Sequence, residues 1–134
     1  MRSMGKLLVV DDDPLVRAAL CRMLARRGHE VHPASGGREA LAQLEHMVFD
    51  AVVSDISMPD MDGVDFLAAI RARDVKVPVV LVTGIPELTT AMRAVELGAF
   101  RYLAKPVEPK VLGETVEEAI VASERARRAQ STVA

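Results

Sequence analysis

Three short runs of aliphatic residues constrain the fold of this chain more than any other feature. Leu7-Leu8-Val9-Val10, Ala51-Val52-Val53 and Val79-Val80-Leu81-Val82 are unbroken by polar groups. A strand with one wet face alternates apolar and polar residues. An unbroken run reads instead as a strand covered on both faces, as in a parallel sheet. Lys6 to Val10, Glu30 to Ala34, Asp50 to Ser54, Pro78 to Val82 and Arg101 to Leu103 are the five expected strands.

Helical patterns fill the intervals. Pro14 suits a first-turn position, and Leu15, Val16, Ala19, Leu20, Met23 and Leu24 then recur at helical spacing until Gly28. Gly37 to His46 and Val64 to Arg71 follow as the second and third helices. Pro86 is expected to open a fourth, which carries Leu88, Met92 and Val95 and stops at Gly98. A fifth begins near Glu108 and Pro109, with Val111, Leu112, Val116, Ala119 and Ile120 on one stripe, and is expected to run a turn or two past Ile120. Strands alternating with helices through the whole chain predict an α/β fold built on a single doubly wound parallel sheet.

A chain of 134 residues, half of them hydrophobic and 27% charged, suits one globular domain. A formal charge of −2 provides no general attraction for nucleic acid or an anionic membrane. The first apolar run passes straight into three aspartates, so it is not read as a signal peptide, and no apolar stretch approaches membrane-spanning length. The single Cys21 cannot form an internal disulfide. The expected compartment is the cytoplasm.

In such a sheet the site lies outside the C-terminal strand ends, beside a topological switch point. The polar residues there are Asp11, Asp12 and Asp13 after the first strand, Asp55 after the third, Thr83 after the fourth and Lys105 after the fifth. Two like charges roughly 4 Å apart repel by about 4 kcal/mol at an effective dielectric of about 20. A divalent cation reverses the sign of that interaction, and a cluster of carboxylate oxygens suits Mg²⁺. Acids, one candidate nucleophile, a hydroxyl and an ammonium together match phosphoryl transfer to a carboxylate.

Four segments, in order, resemble the bacterial two-component response-regulator receiver domain. They are Leu7 to Pro14, Asp55-Ile56-Ser57-Met58-Pro59-Asp60-Met61-Asp62-Gly63, Val82-Thr83-Gly84 and Lys105-Pro106. The resemblance implies a flavodoxin-like sheet of five strands, order 2-1-3-4-5, with five helices. It implies that Asp55 takes a phosphoryl group from a phosphohistidine. Asp12 would then be a direct Mg²⁺ ligand, Asp11 would act largely through water, and Ser57 would lend its backbone carbonyl. Thr83 and Lys105 would hold phosphoryl oxygens, Lys105-Pro106 would be a cis peptide, and Tyr102 would be the switch aromatic. The implied partners are a sensor histidine kinase or phosphotransfer protein, with a homodimer or a fused output domain on the face of the fourth helix, fifth strand and fifth helix. Direct nucleic-acid and membrane partners are not expected. Such a domain signals by catalysing its own phosphotransfer and dephosphorylation, and is not otherwise an enzyme. Residues 1–122 make up the domain on this reading, and 123–134 a C-terminal helix extension or linker stub.

Other polar residues have plainer readings. Asp13 precedes Pro14 and suits a helix N-cap. Asp60 and Asp62 read as solvated loop charges, with Asp62 able to form a turn with Gly63. His29, His32 and His46 lack metal-ligand spacing, and Arg125, Arg127 and Arg128 read as a solvated helix end. Two other functions compete. Asp11 and Asp13 form an Asp-x-Asp pair that resembles the opening of a haloacid-dehalogenase-type phosphohydrolase, but Leu15 stands where that motif has Thr or Val and the Asp55 loop is left unexplained. A phosphorylation-independent pseudo-receiver would need no intact site, yet every matched position is present.

Overall fold

The computed structural model describes residues 4–132. These residues alternate strand and helix from end to end: β1 (Lys6–Val10), α1 (Pro14–Ala25), β2 (Glu30–Ala34), α2 (Gly37–His46), β3 (Ala51–Asp55), α3 (Gly63–Ala72), β4 (Val79–Thr83), α4 (Leu88–Glu96), β5 (Arg101–Ala104) and α5 (Pro109–Thr132). All the strands are parallel, in the order β2-β1-β3-β4-β5, as the resemblance implied.

The unbroken aliphatic runs form the middle of the sheet, and their two-residue period divides them between its faces. Leu7, Val9, Val53, Val80 and Val82 pack with Leu20 and Leu24 of α1 and Leu112, Val116 and Ile120 of α5. Leu8, Val10, Val52, Val79 and Leu81 pack on the opposite face with Leu41 of α2, Phe66 and Ile70 of α3 and Ala94 of α4. Each such Val, Leu, Ile or Phe side chain, fully buried, contributes roughly 1.5–3 kcal/mol relative to exposure. With two helices on one face and three on the other, the direction of winding reverses between β1 and β3, and that switch point fixes where a site can lie.

Several boundaries differ from the sequence reading. β3 and β4 begin and end one residue later, taking in Asp55 and Thr83. α4 begins at Leu88, because Glu87 remains extended (φ −130°, ψ 140°) as its N-cap residue. Its stripe is also reversed: Leu88, Met92 and Val95 are 76%, 55% and 73% exposed, and Ala94 is the residue turned to the sheet. Leu15 and Val111 likewise face outward. α5 extends well beyond the expected turn or two, and its 24 residues span about 36 Å at 1.5 Å per residue. Arg127 is not simply solvated, since it donates to Asp50 Oδ1 at 2.8 Å and ties this helix to the lower edge of the sheet.

Gly28 and Gly98, expected as helix stops, have φ of 96° and 77°, the left-handed region that glycine enters without cost. Asp13 caps α1, accepting from the N–H groups of Leu15 and Val16. His29 is buried, its Nδ1 accepting the Gly5 N–H and its Nε2 3.6 Å from Glu117.

Candidate phosphoryl and metal site

The strand register brings the predicted residues to one edge. Val10 is level with Ser54, Asp55 with Val82, and Thr83 with Ala104. The residues that follow these positions therefore meet above β1, β3, β4 and β5. They line an open cleft of about 540 Å³ that includes Asp11, Asp12, Asp55, Ser57, Thr83 and Lys105. Carboxylate oxygens of Asp11, Asp12 and Asp55 lie within 4.8 Å of one another.

Asp11 and Asp55 are buried, whereas Asp12 and Ser57 are exposed at the rim. Lys105 bridges the two buried acids, its Nζ standing 3.2 Å from Asp11 Oδ2 and 3.2 Å from Asp55 Oδ1. The Lys105-Pro106 peptide before α5 is cis, as expected. Asp11 is braced further by the Asp13 N–H on its Oδ1 at 2.9 Å, while Arg17 donates to its carbonyl oxygen at 2.8 Å.

Burial raises the Asp55 carboxyl above the ordinary carboxylate range; Lys105 opposes this and the Asp11 charge adds to it. Lys105 loses solvent too, which favours its neutral form, but Asp11 and Asp55 together outweigh that loss and raise its ammonium. One ammonium among three carboxylates leaves an excess of negative charge, and hard oxygen donors in that arrangement fit a small divalent cation.

Thr83 and Tyr102 hold the β4–α4 loop at its two ends. Thr83 Oγ1 accepts the Ile85 N–H at 3.1 Å, and the Tyr102 hydroxyl accepts the Glu87 N–H at 3.3 Å. Tyr102 is half-buried on β5, one strand over from Thr83.

The Asp55 loop holds what sequence reasoning missed. Asp62 is the N-cap of α3, accepting the Asp65 N–H at 2.8 Å; its place before Gly63-Val64-Asp65 was a local signal for this. Asp60 is not simply a solvated charge either. Its carboxylate accepts the Gly37 and Arg38 N–H groups at the start of α2, at 3.4 and 3.1 Å. No local pattern points to a partner 23 residues away. Gly63 donates to the Ile56 carbonyl at 2.8 Å, and a Cβ placed on it would lie 2.4 Å from the Asp55 carbonyl oxygen.

Comparison with known proteins agrees with this geometry. The family described as the response regulator receiver domain matches residues 7–117. The chain is 38% identical over 120 residues to the Escherichia coli regulatory protein AtoC, covering 90% of this chain and 26% of AtoC. It is 38% identical over 122 residues to the Salmonella typhimurium DNA-binding transcriptional regulator NtrC, covering 91% of this chain and 24% of NtrC. It thus spans about a quarter of these curated relatives. Among solved structures, a CheY-like receiver domain protein from Methanospirillum hungatei superposes with a TM-score of 0.84 at 32% identity, covering 92% of this chain and 99% of that one. Vibrio cholerae chemotaxis protein CheY4 superposes with a TM-score of 0.82 at 33% identity, covering 87% and 99%. These relatives favour neither the haloacid-dehalogenase-type hydrolase nor the pseudo-receiver. A parallel sheet of order 2-1-3-4-5, its acidic strand tips facing one lysine, and a family match over most of the sequence agree: the chain belongs to the response-regulator receiver domain family of two-component signalling.

Proposed function

We propose that Asp55 is the phosphoacceptor. The observation that carries this is its position: a buried carboxylate at the end of a central strand, bridged to Asp11 by Lys105 and open to a cleft. An Asp55 oxygen attacks the phosphorus of a phosphohistidine. The P–N bond breaks, its electron pair stays on the imidazole nitrogen, and an acyl phosphate forms. Lys105 balances charge on the incoming phosphoryl oxygens, and the Thr83 hydroxyl turns from Ile85 to donate to one of them.

Asp11, Asp12, Asp55 and the backbone carbonyl of Ser57 would hold Mg²⁺, with Asp11 acting largely through water. When bound, the metal neutralises the acids and the transferring oxygens. The donor partner is a sensor histidine kinase or a phosphotransfer protein in the cytoplasm, and the domain catalyses its own phosphotransfer and dephosphorylation. The output face is α4–β5–α5, where the outward Ile85, Leu88, Met92, Val95 and Val111 offer apolar surface to a homodimer partner or a fused output domain. Residues 1–122 are assigned as the signalling unit, and 123–134 as a C-terminal helix extension or linker stub.

Incubation with acetyl phosphate and Mg²⁺ tests the assignment. One acid-labile phosphoryl group per chain is expected, and none in Asp55→Asn or in excess EDTA. Full labelling of Asp55→Asn, or of the wild type in EDTA, overturns it.

A further inference from the structure

Asp60 lies in the loop that follows Asp55, outside the residues that line the cleft, and faces the start of α2. The N-cap of α2 is Gly36, which has no side chain to receive the first N–H groups of the helix. Asp60 takes that place from 23 positions away, Oδ1 facing the Gly37 N–H and Oδ2 the Arg38 N–H. The surroundings are shaped for it. A Cβ on Gly36 would lie 2.8 Å from Asp60 Oδ1, and one on Gly37 would lie 3.0 Å from the Met61 sulfur. Accepting the Arg38 N–H above all, then that of Gly37, lowers the Asp60 carboxyl against the pull of desolvation.

The same loop is fastened at its other end by Gly63 donating to the Ile56 carbonyl and by Asp62 capping α3. Met58 is buried between these anchors. Ser57 therefore stands on a short span with its ends tied to β3 and α3 and its crest tied to α2. We infer that Asp60 is a positioning residue for the metal and phosphoryl site, and that through it the start of α2 responds when the site is loaded. The inference rests on the proposed roles of Asp55 and Ser57. Asp60 does not belong to the acidic cluster; it acts by holding the Ser57 carbonyl where a cation needs it. Because coupling between two sites is reciprocal, whatever loading does to the loop is felt at Gly37 and Arg38.

The test is a Mg²⁺ titration of the full ¹⁵N-labelled chain, followed by amide shifts, for wild type, Asp60→Ala and Asp60→Asn. In the wild type the Gly37 and Arg38 amides are expected to move together with those of Asp55 and Ser57. Asp60→Ala should bind Mg²⁺ about tenfold more weakly, the lower end of what partners outside the ligand shell contribute. Asn keeps an acceptor oxygen. Asp60→Asn should therefore recover most of the affinity once about 0.5 M KCl screens the lost charge, while Asp60→Ala does not. Gly36→Ala, which retains Asp60 but crowds its carboxylate, carries the same expectation should Asp60→Ala fail to fold. An Asp60→Ala affinity within about twofold of wild type overturns the inference, even if the melting temperature falls. Equal weakening in Ala and Asn that vanishes in salt overturns it as well, since that is the loss of a remote charge alone. A wild type whose Asp55 and Ser57 amides ignore Mg²⁺ removes the proposed metal site and this inference with it.

Discussion

The Tyr102 hydroxyl accepts the Glu87 N–H at 3.3 Å, joining β5 to the residue from which α4 starts. Thr83 holds the near end of the same loop through the Ile85 N–H. If a phosphoryl oxygen on Asp55 draws the Thr83 hydroxyl away, Ile85 is expected to be released and the slack to reach Glu87 and Tyr102. Even a Cβ at Gly84 would meet nothing within 4 Å, so this position offers no resistance to the movement. Allosteric couplings of this kind are typically about 1–3 kcal/mol, a shift of populations between two loop arrangements. Thr83→Ala is expected to accept phosphate at Asp55 and yet lose much of the change at Tyr102. NMR titration of wild type and mutant with beryllofluoride and Mg²⁺ checks this, and an unchanged Tyr102 response rejects the coupling.

The charge on Asp55 works against the fold. Its folded pKa is raised, chiefly by burial, so the native state holds this proton more tightly than the unfolded chain does. Stability from this group is therefore greatest at pH below the unfolded carboxylate value, about 3.9, and declines as pH rises through the folded value. In metal-free buffer at neutral pH, Asp55→Asn should melt at a higher temperature than wild type. The gap should shrink on acidification and on adding Mg²⁺. Thermal melts across pH, with and without the metal, provide the measurement; a lower melting temperature for Asp55→Asn at neutral pH contradicts it.

Gly63 sits where no side chain fits, its would-be Cβ 2.4 Å from the Asp55 carbonyl oxygen. Gly63→Ala must push the loop off the strand end. A cost of about 1–3 kcal/mol, typical of overpacking, is expected in urea unfolding. Acetyl phosphate labelling should fall with it, because the displaced backbone is that of Asp55. Labelling at the wild-type rate would show that the loop absorbs the methyl elsewhere.

Arg71 closes the lower end of the sheet by donating to four carbonyls, those of Leu97, Val75, Val77 and Gly98, at 2.9–3.2 Å. Its side chain is desolvated enough to lower its pKa. A guanidinium can serve four acceptors in different directions, whereas an ammonium has three donors at one point. Arg71→Lys is expected to cost about 1.5–3 kcal/mol, the range for hydrogen bonds to a charged group, with phosphorylation of the folded fraction unaffected. Chemical denaturation and acetyl phosphate labelling separate the two effects.

Much of this protein was legible because its strongest signals are local. The buried strands announced themselves as unbroken aliphatic runs, since only a residue covered on both faces can dispense with polar alternation. The polar residues at their ends stood out because carboxylates at the tips of buried strands have no packing role there. Asp13 was readable as a cap because its partners, Leu15 and Val16, are two and three residues on.

What failed in the sequence reading depends on which faces meet. Apolar spacing on α4 picked out Leu88, Met92 and Val95, yet these are exposed and Ala94 is the residue buried in the core. The spacing of a short helix does not say which side is inward when both carry apolar groups.

The sequence by itself determined the elements, their α/β alternation and the residue types gathered at the candidate site. Strand burial and helical period are properties of consecutive residues, and the acids, Thr83 and Lys105 each lie at or just after the end of a strand that can be read locally. Only the tertiary structure decided that Lys105 stands 3.2 Å from both Asp11 and Asp55, that Tyr102 reaches Glu87, and that Asp60 caps a helix 23 residues earlier. These contacts form when parallel strands fall into register and bring distant segments to the same edge. Their distances and directions depend on that register and on helix orientation, which are settled by packing across the whole sheet.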